Sequence, residues 1–210
     1  MIPLVINAHR TKTANMSTRS LWVAMLAAAI AYAATAVSLQ EKKPPGREYV
    51  GSKRCRLCHN SPLRGNIYEI WSKNRHAGAY RTLFTSEAKK VVTKLGVGKP
   101  EKSGDCLRCH ATAYGYGKKI VTKKVKIEEG VGCESCHGAG KDFSKLSIMK
   151  DREKAVAAGL VYPAKNVCTK CHNPESPTWD PERYTDKKGK KTGFDFDVLW
   201  EMVEHHMPKK

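Results

Sequence analysis

The sequence predicts a mainly α-helical chain with much irregular structure, wrapped around bound groups instead of around a core of its own side chains. Three observations carry this. Cys-x-x-Cys-His occurs four times, as Cys55…Cys58-His59, Cys106…Cys109-His110, Cys133…Cys136-His137 and Cys168…Cys171-His172, and these runs use all eight cysteines. Apolar residues make up 40% of the 210 residues, with four Trp and four Phe, which is thin for a conventional core. The candidate helices are set apart by stretches with glycine and proline.

The repeated motif has one chemistry that uses all of its parts. Two thiols one helical turn apart add across the two vinyl groups of a porphyrin, and the histidine that follows reaches the iron. Structural zinc can also be held by paired Cys-x-x-Cys units, but such a site needs no histidine after every pair. A redox dithiol is natural once and odd four times in so short a chain. The expected cofactors are therefore four covalent haem c groups, and the expected class is a multihaem cytochrome c with the haems as its core. Folding would then be linked to haem attachment.

The elements follow in order. Residues 1–38 read as a signal peptide. Arg10, Lys12 and Arg19 precede an Ala-rich apolar run from Leu21 to about Leu39, and small residues at Ala34-Thr35-Ala36 or Ala36-Val37-Ser38 suit cleavage. Met16 opens a more typical leader, so the first 15 residues fit an over-extended start. An uncleaved anchor is the competing reading, since the run is just long enough to span a bilayer. Residues 39–210 form the haem domain. Residues 40 to 54 are an extended lead-in through Pro44-Pro45-Gly46. A helix is expected from Ile67 to about Leu83, and another from Glu87 to Leu95, closed by Gly96. Lys118 to Ile127 alternates apolar and basic residues, as a short hairpin would. Asp151 to Ala158 is a short helix ending at Gly159. Asp195 to about His206 is the last helix, capped by Asp195. Gly130, Gly132, Gly138 and Gly140 crowd the third motif, as backbone passing close to a flat cofactor would.

The formal charge is +18. Nucleic acid is excluded as a partner, because the lysines are scattered without aromatic interleaving and the chain reads as exported. The charge instead suits redox protein partners with acidic docking surfaces, or a solvated lysine surface that offsets haem propionates. A membrane enters only if the leader is retained. The expected location is periplasmic or extracellular.

The sixth ligands are short in supply. Outside the motifs and the leader the chain has His76, His205 and His206, so four irons cannot all receive a second histidine from one chain. His76 on the first helix is a candidate distal ligand. His205 and His206, adjacent on a helix, would diverge by about 100° and cannot bind opposite faces of one haem. Either they serve two haems or one is a bystander. Met149, in Ser147-Ile148-Met149, is the candidate for a Met/His pair, which would raise the potential. An open iron, or a histidine from a neighbouring molecule, are the other outcomes.

Several stretches, in order, resemble the tetrahaem cytochrome c-554 family of ammonia-oxidising bacteria. They are Tyr49-Val50-Gly51-Ser52-Lys53-Arg54-Cys55, Trp71 followed by His76-Ala77, Asp105-Cys106 with Tyr114-Gly115, Gly130-Val131-Gly132-Cys133-Glu134-Ser135-Cys136-His137-Gly138, and Glu204-His205-His206. The resemblance implies close-packed haems in stacked and crossed pairs. It implies an open haem at His110, and distal ligands at His76 and at one of His205 and His206. A further distal histidine of the family, about ten residues past the third motif, is here Ser147. That departure puts in question the coordination of a further haem, placed at the fourth motif. Ala157-Ala158-Gly159-Leu160 and Asn173-Pro174-Glu175-Ser176-Pro177-Thr178 look more like a broad branch of exported multihaem cytochromes, some of which polymerise.

The reading of function is an electron carrier between redox partners outside the cytoplasm. The alternatives are an enzyme reducing nitric oxide, nitrite or hydroxylamine at an open iron, and a subunit of an extracellular cytochrome filament built by self-association.

Overall fold

A computed structural model describes residues 47–117, 121–206 and 208. The leader, the Pro44-Pro45-Gly46 linker and Met207 lie outside these. Ten α-helices follow one another among the described residues, the longest of them Ser86–Leu95, and the only sheet is a two-stranded hairpin. Among the described residues no helix is long and apolar enough to cross a membrane.

Three of the four motifs sit on their own helix: α1 (Ser52–His59), α5 (Gly104–His110) and α6 (Cys133–His137). The fourth begins on α9 (Lys165–Cys168) and closes in a turn, with the amides of Cys171 and His172 both donating to the Cys168 carbonyl at 3.1 and 3.0 Å. In every case the two cysteines fall about one turn apart, as joint attachment to one ring requires.

The helix expected from Ile67 to Leu83 is instead two, α2 (Ile67–Lys73) and α3 (Ala79–Thr82). The break falls at Asn74, which is extended at ψ 154°. Its side chain takes over the work of the helical hydrogen bonds. Nδ2 donates to the Met202 carbonyl at 2.7 Å, and Oδ1 accepts from the His76 amide at 3.0 Å. A side chain that bonds backbone locally competes with the helix, and here it wins because it also ties the turn to the C-terminal segment.

α4 (Ser86–Leu95) ends at Gly96 in the left-handed region at φ +67°, as expected, and Thr85 Oγ1 caps its start. α7 (Leu146–Met149) precedes α8 (Arg152–Ala157), which Asp151 caps by accepting from the Lys154 amide. α10 (Phe196–Val203) is capped by Asp195 but stops before Glu204, which is extended. His205 and His206 therefore lie beyond the helix. The helical step of about 100° expected between them therefore does not apply.

The hairpin expected at 118–127 is absent among the described residues there. Val121 makes a parallel bridge to Tyr49, and a 3-10 turn follows at Ile127–Glu129. Residues 118–120 lie outside the described set. The hairpin of the fold is instead β1 (Tyr184–Thr185) with β2 (Lys191–Thr192), closed by Asp186, whose Oδ1 accepts from the amides of Lys188 and Lys190.

Side-chain packing supplies little core. Among the described residues the buried hydrophobic ones are Ala77, Leu83, Val92, Leu107, Ala111, Ala139, Phe143 and Ala155, so half are alanine. One cluster, Leu83, Leu107 and Ala111, packs with Tyr80, Cys106 and Ile127 and fixes the second motif against α3.

Candidate functional site

The third motif is the hub. Glu134, between its cysteines, is 2% exposed and accepts three backbone N–H groups. Gly51 donates at 2.7 Å and Gly140 at 2.6 Å, and Val50 reaches both oxygens at 2.9 and 3.1 Å. One carboxylate thus joins the lead-in, the start of the first motif and the loop after the third. Burial pushes its carboxyl up, and the N–H donors oppose that shift. Replacement by alanine would leave three amides unpaired at about 1–3 kcal/mol each if buried. Glu134→Ala is expected to cost about 3–5 kcal/mol in denaturant unfolding of the haem-loaded protein, and Glu134→Gln less, because one acceptor oxygen remains.

Close approaches complete the hub. A Cβ on Gly130, at φ +67°, would lie 2.6 Å from the His76 carbonyl oxygen, and one on Gly132 would overlap Ser52 Oγ. These glycines admit neighbouring protein atoms, a closer contact than the expected passage beside a cofactor. Val131 holds the His76 segment from both sides: its amide donates to the His76 carbonyl and its carbonyl accepts from Trp71 Nε1, both at 2.9 Å. Thr112 Oγ1 accepts from the Gly132 amide at 2.7 Å and binds Ser135, so the second and third motifs share a hinge of hydroxyl groups.

This scaffold sets histidines in facing pairs. His76 and His172 have ring centroids 6.1 Å apart, and His137 and His205 are 5.8 Å apart, with ring planes inclined at 68° and 64°. A first-row metal sits about 2 Å from an imidazole nitrogen, so two rings on opposite sides of one iron would have centroids about 6 Å apart. Both pairs fit that span, and each joins one motif histidine to one outside the motifs. In the fourth motif the ring so placed is His172, with His76 beside it. Neither His59 nor His110 has such a ring opposite it among the described residues.

Hydrogen bonds select the tautomer that a metal requires. Nδ1 lies 2.7 Å from the Ala79 carbonyl in His110, 3.0 Å from that of Val161 in His137, and 3.0 Å from that of Val203 in His205. A proton donated there leaves Nε2 with its lone pair. Burial pushes His59, His76, His137 and His172 toward the neutral form, which a ligand must have.

The thiols pair between motifs. Cys55 and Cys133 lie close enough to perturb each other, as do Cys109 and Cys171, and in each pair one thiol is pushed up and its partner down. Cys136 is pushed up to about 11 by burial first and then by the nearby Cys168. The motifs therefore adjoin in the order first, third, fourth, second. All eight cysteines are unbridged, and among the described residues no three His, Cys, Asp or Glu side chains converge as a metal cluster. Two thiols and a histidine in one short run fit a group attached motif by motif.

The model of the family described as cytochrome c554 and c-prime matches residues 54–138, which span the first three motifs. Over that stretch the chain is similar to the cytochrome c-554 family. Cytochrome c-554 of Nitrosomonas europaea is 26% identical, over 74% of this chain and 73% of that protein. The solved reduced state of cytochrome c554 from the same organism is 23% identical with a TM-score of 0.46, covering 75% of this chain and 78% of that one. These likenesses in sequence support a c-type cytochrome, an electron-transfer protein with covalent haem c and redox protein partners.

Two candidate residues of the cytochrome stand apart from the pairs. Met149 is half-buried at the end of α7. His206 is exposed, with Nε2 3.2 Å from the Glu204 carboxylate. Sequence reasoning did not pick out Glu134, Thr112 or Asn74. Glu134 and Asn74 carried a faint signal: an acid inside an apolar, glycine-rich motif, and an Asn two residues before the candidate distal histidine.

Proposed function

We propose that this cytochrome carries electrons between redox proteins outside the cytoplasm through four haems, one on each Cys-x-x-Cys-His run. The reading rests above all on the two histidine pairs, which give the third and fourth motifs a second imidazole at the separation an iron would need. Haem, when attached, supplies a one-electron ferric/ferrous couple. The chain does the rest. Each pair of cysteines tethers one ring, and the histidine beside it takes the iron. His76 serves the fourth motif and His205 the third. The carbonyls of Val161 and Val203 hold His137 and His205 in the ligating tautomer. Two strong imidazole ligands favour fast cycling without exchange of ligands, which is what a carrier needs. The adjoining thiols support a relay in the order first, third, fourth, second motif, with the two outer motifs as points of entry and exit. The excess of Lys and Arg over Asp and Glu, formally +18 over the whole chain, favours partners with acidic docking faces. Residues 1–38 would be the export signal and 39–210 the haem domain.

Mass spectrometry of the exported protein is expected to give the chain plus four haems. Electron paramagnetic resonance of the oxidised protein is expected to contain two bis-histidine low-spin signals. A lower haem count, or a spectrum with no bis-histidine component, contradicts the assignment.

A further inference from the structure

His59 is held unlike the histidines of the second and third motifs. Its Nδ1 is buried with no hydrogen-bond partner, and it is the one histidine nitrogen in that state among the described residues. His110, in contrast, has Nδ1 at 2.7 Å from the Ala79 carbonyl and 3.2 Å from Thr82 Oγ1. The remaining histidines are engaged elsewhere: His76 faces His172, His205 faces His137, and exposed His206 is turned to Glu204. Arg64 and His205 lie near His59, and neither supplies a ligand to it, since guanidinium has no lone pair to give and the His205 ring is paired with His137.

We propose that His59 holds its iron from one side only and leaves the other side as a binding position for a small neutral diatomic ligand, in addition to the position at His110. The inference rests on the four-haem reading above. It also separates the two positions chemically. An imidazole that donates its Nδ1 proton to a carbonyl becomes a stronger base toward metal. His110 does so and His59 does not, so the bond from His59 is the weaker of the two.

The probe is carbon monoxide, with the exported protein first shown by mass to carry four haems. The dithionite-reduced protein is expected to take up two equivalents of carbon monoxide per chain. Its resonance Raman spectrum is expected to show two iron–histidine stretching bands, the lower from His59. Thr82→Val, which removes one partner of His110 Nδ1, is expected to move the upper band and leave the lower one in place. One equivalent, or a single band, overturns the inference while the electron carrier stands; His206, Met149 or a side chain from a second copy would then fill the position. A protein without four haems fails the reading beneath it instead.

Discussion

Made without haem attachment, the chain is expected to be unfolded, with a far-ultraviolet spectrum of coil and no cooperative thermal transition. The reason lies in what the side chains bury. Beyond four alanines, the buried apolar residues among those described are Leu83, Val92, Leu107 and Phe143. Each contributes about 1.5–3 kcal/mol, while every residue that is ordered costs roughly 1–2 kcal/mol of backbone entropy. Helices of four to ten residues do not make up the difference, because helices below about 12–15 residues are marginal alone. Other apolar residues lie open instead, with Leu57 at 74% and Leu63 at 87% exposure beside the first motif. A ligand that binds only the folded chain shifts the balance by its own binding energy, and a covalent one does so permanently. Expression in the cytoplasm, where attachment does not occur, followed by circular dichroism, makes the measurement. A cooperative melt of that material would mean that the polypeptide alone encodes the fold.

The four motifs are fully legible in the amino-acid sequence, because the chemistry of attachment needs contiguous residues. Local rules likewise place the caps at Asp151 and Asp195 and the stop at Gly96, each decided by neighbours three or four positions away. What periodicity misses is set by distant contacts. Asn74 breaks the expected long helix because Met202, far along the chain, offers it a carbonyl. Tyr49 takes Val121 as its strand partner, displacing the local pairing expected at 118–127. The pairing of distal with motif histidines is open in the sequence for the same reason: three spare histidines and four motifs carry no order along the chain. The turn at Asn74 precedes His76, whose ring lies beside His172, and α10 ends at Val203 before His205, whose ring lies beside His137.

Replacing His76 with alanine is expected to abolish one bis-histidine low-spin signal and create one high-spin iron, with the rest of the spectrum unchanged. The potential of the fourth-motif haem should rise by on the order of 100 mV, a fraction of the ~0.8 V that axial ligands span, because a second imidazole favours ferric over ferrous iron. His76→Met should restore the low-spin state yet keep the raised potential, since thioether is the weaker donor to ferric iron. The backbone at residue 76 should survive both changes. Its carbonyl is held by the Val131 amide at 2.9 Å and its amide by Asn74 Oδ1 at 3.0 Å, and neither bond involves the ring. His205→Ala makes the matching test at the third motif, where the ring faces His137 at 5.8 Å. If the pairs are independent, the double variant shows the two single effects added. Redox titration with spectral deconvolution reads the potentials. An unchanged low-spin count in His76→Ala would break the link between His76 and His172, and with it the assignment of a second imidazole to the fourth motif.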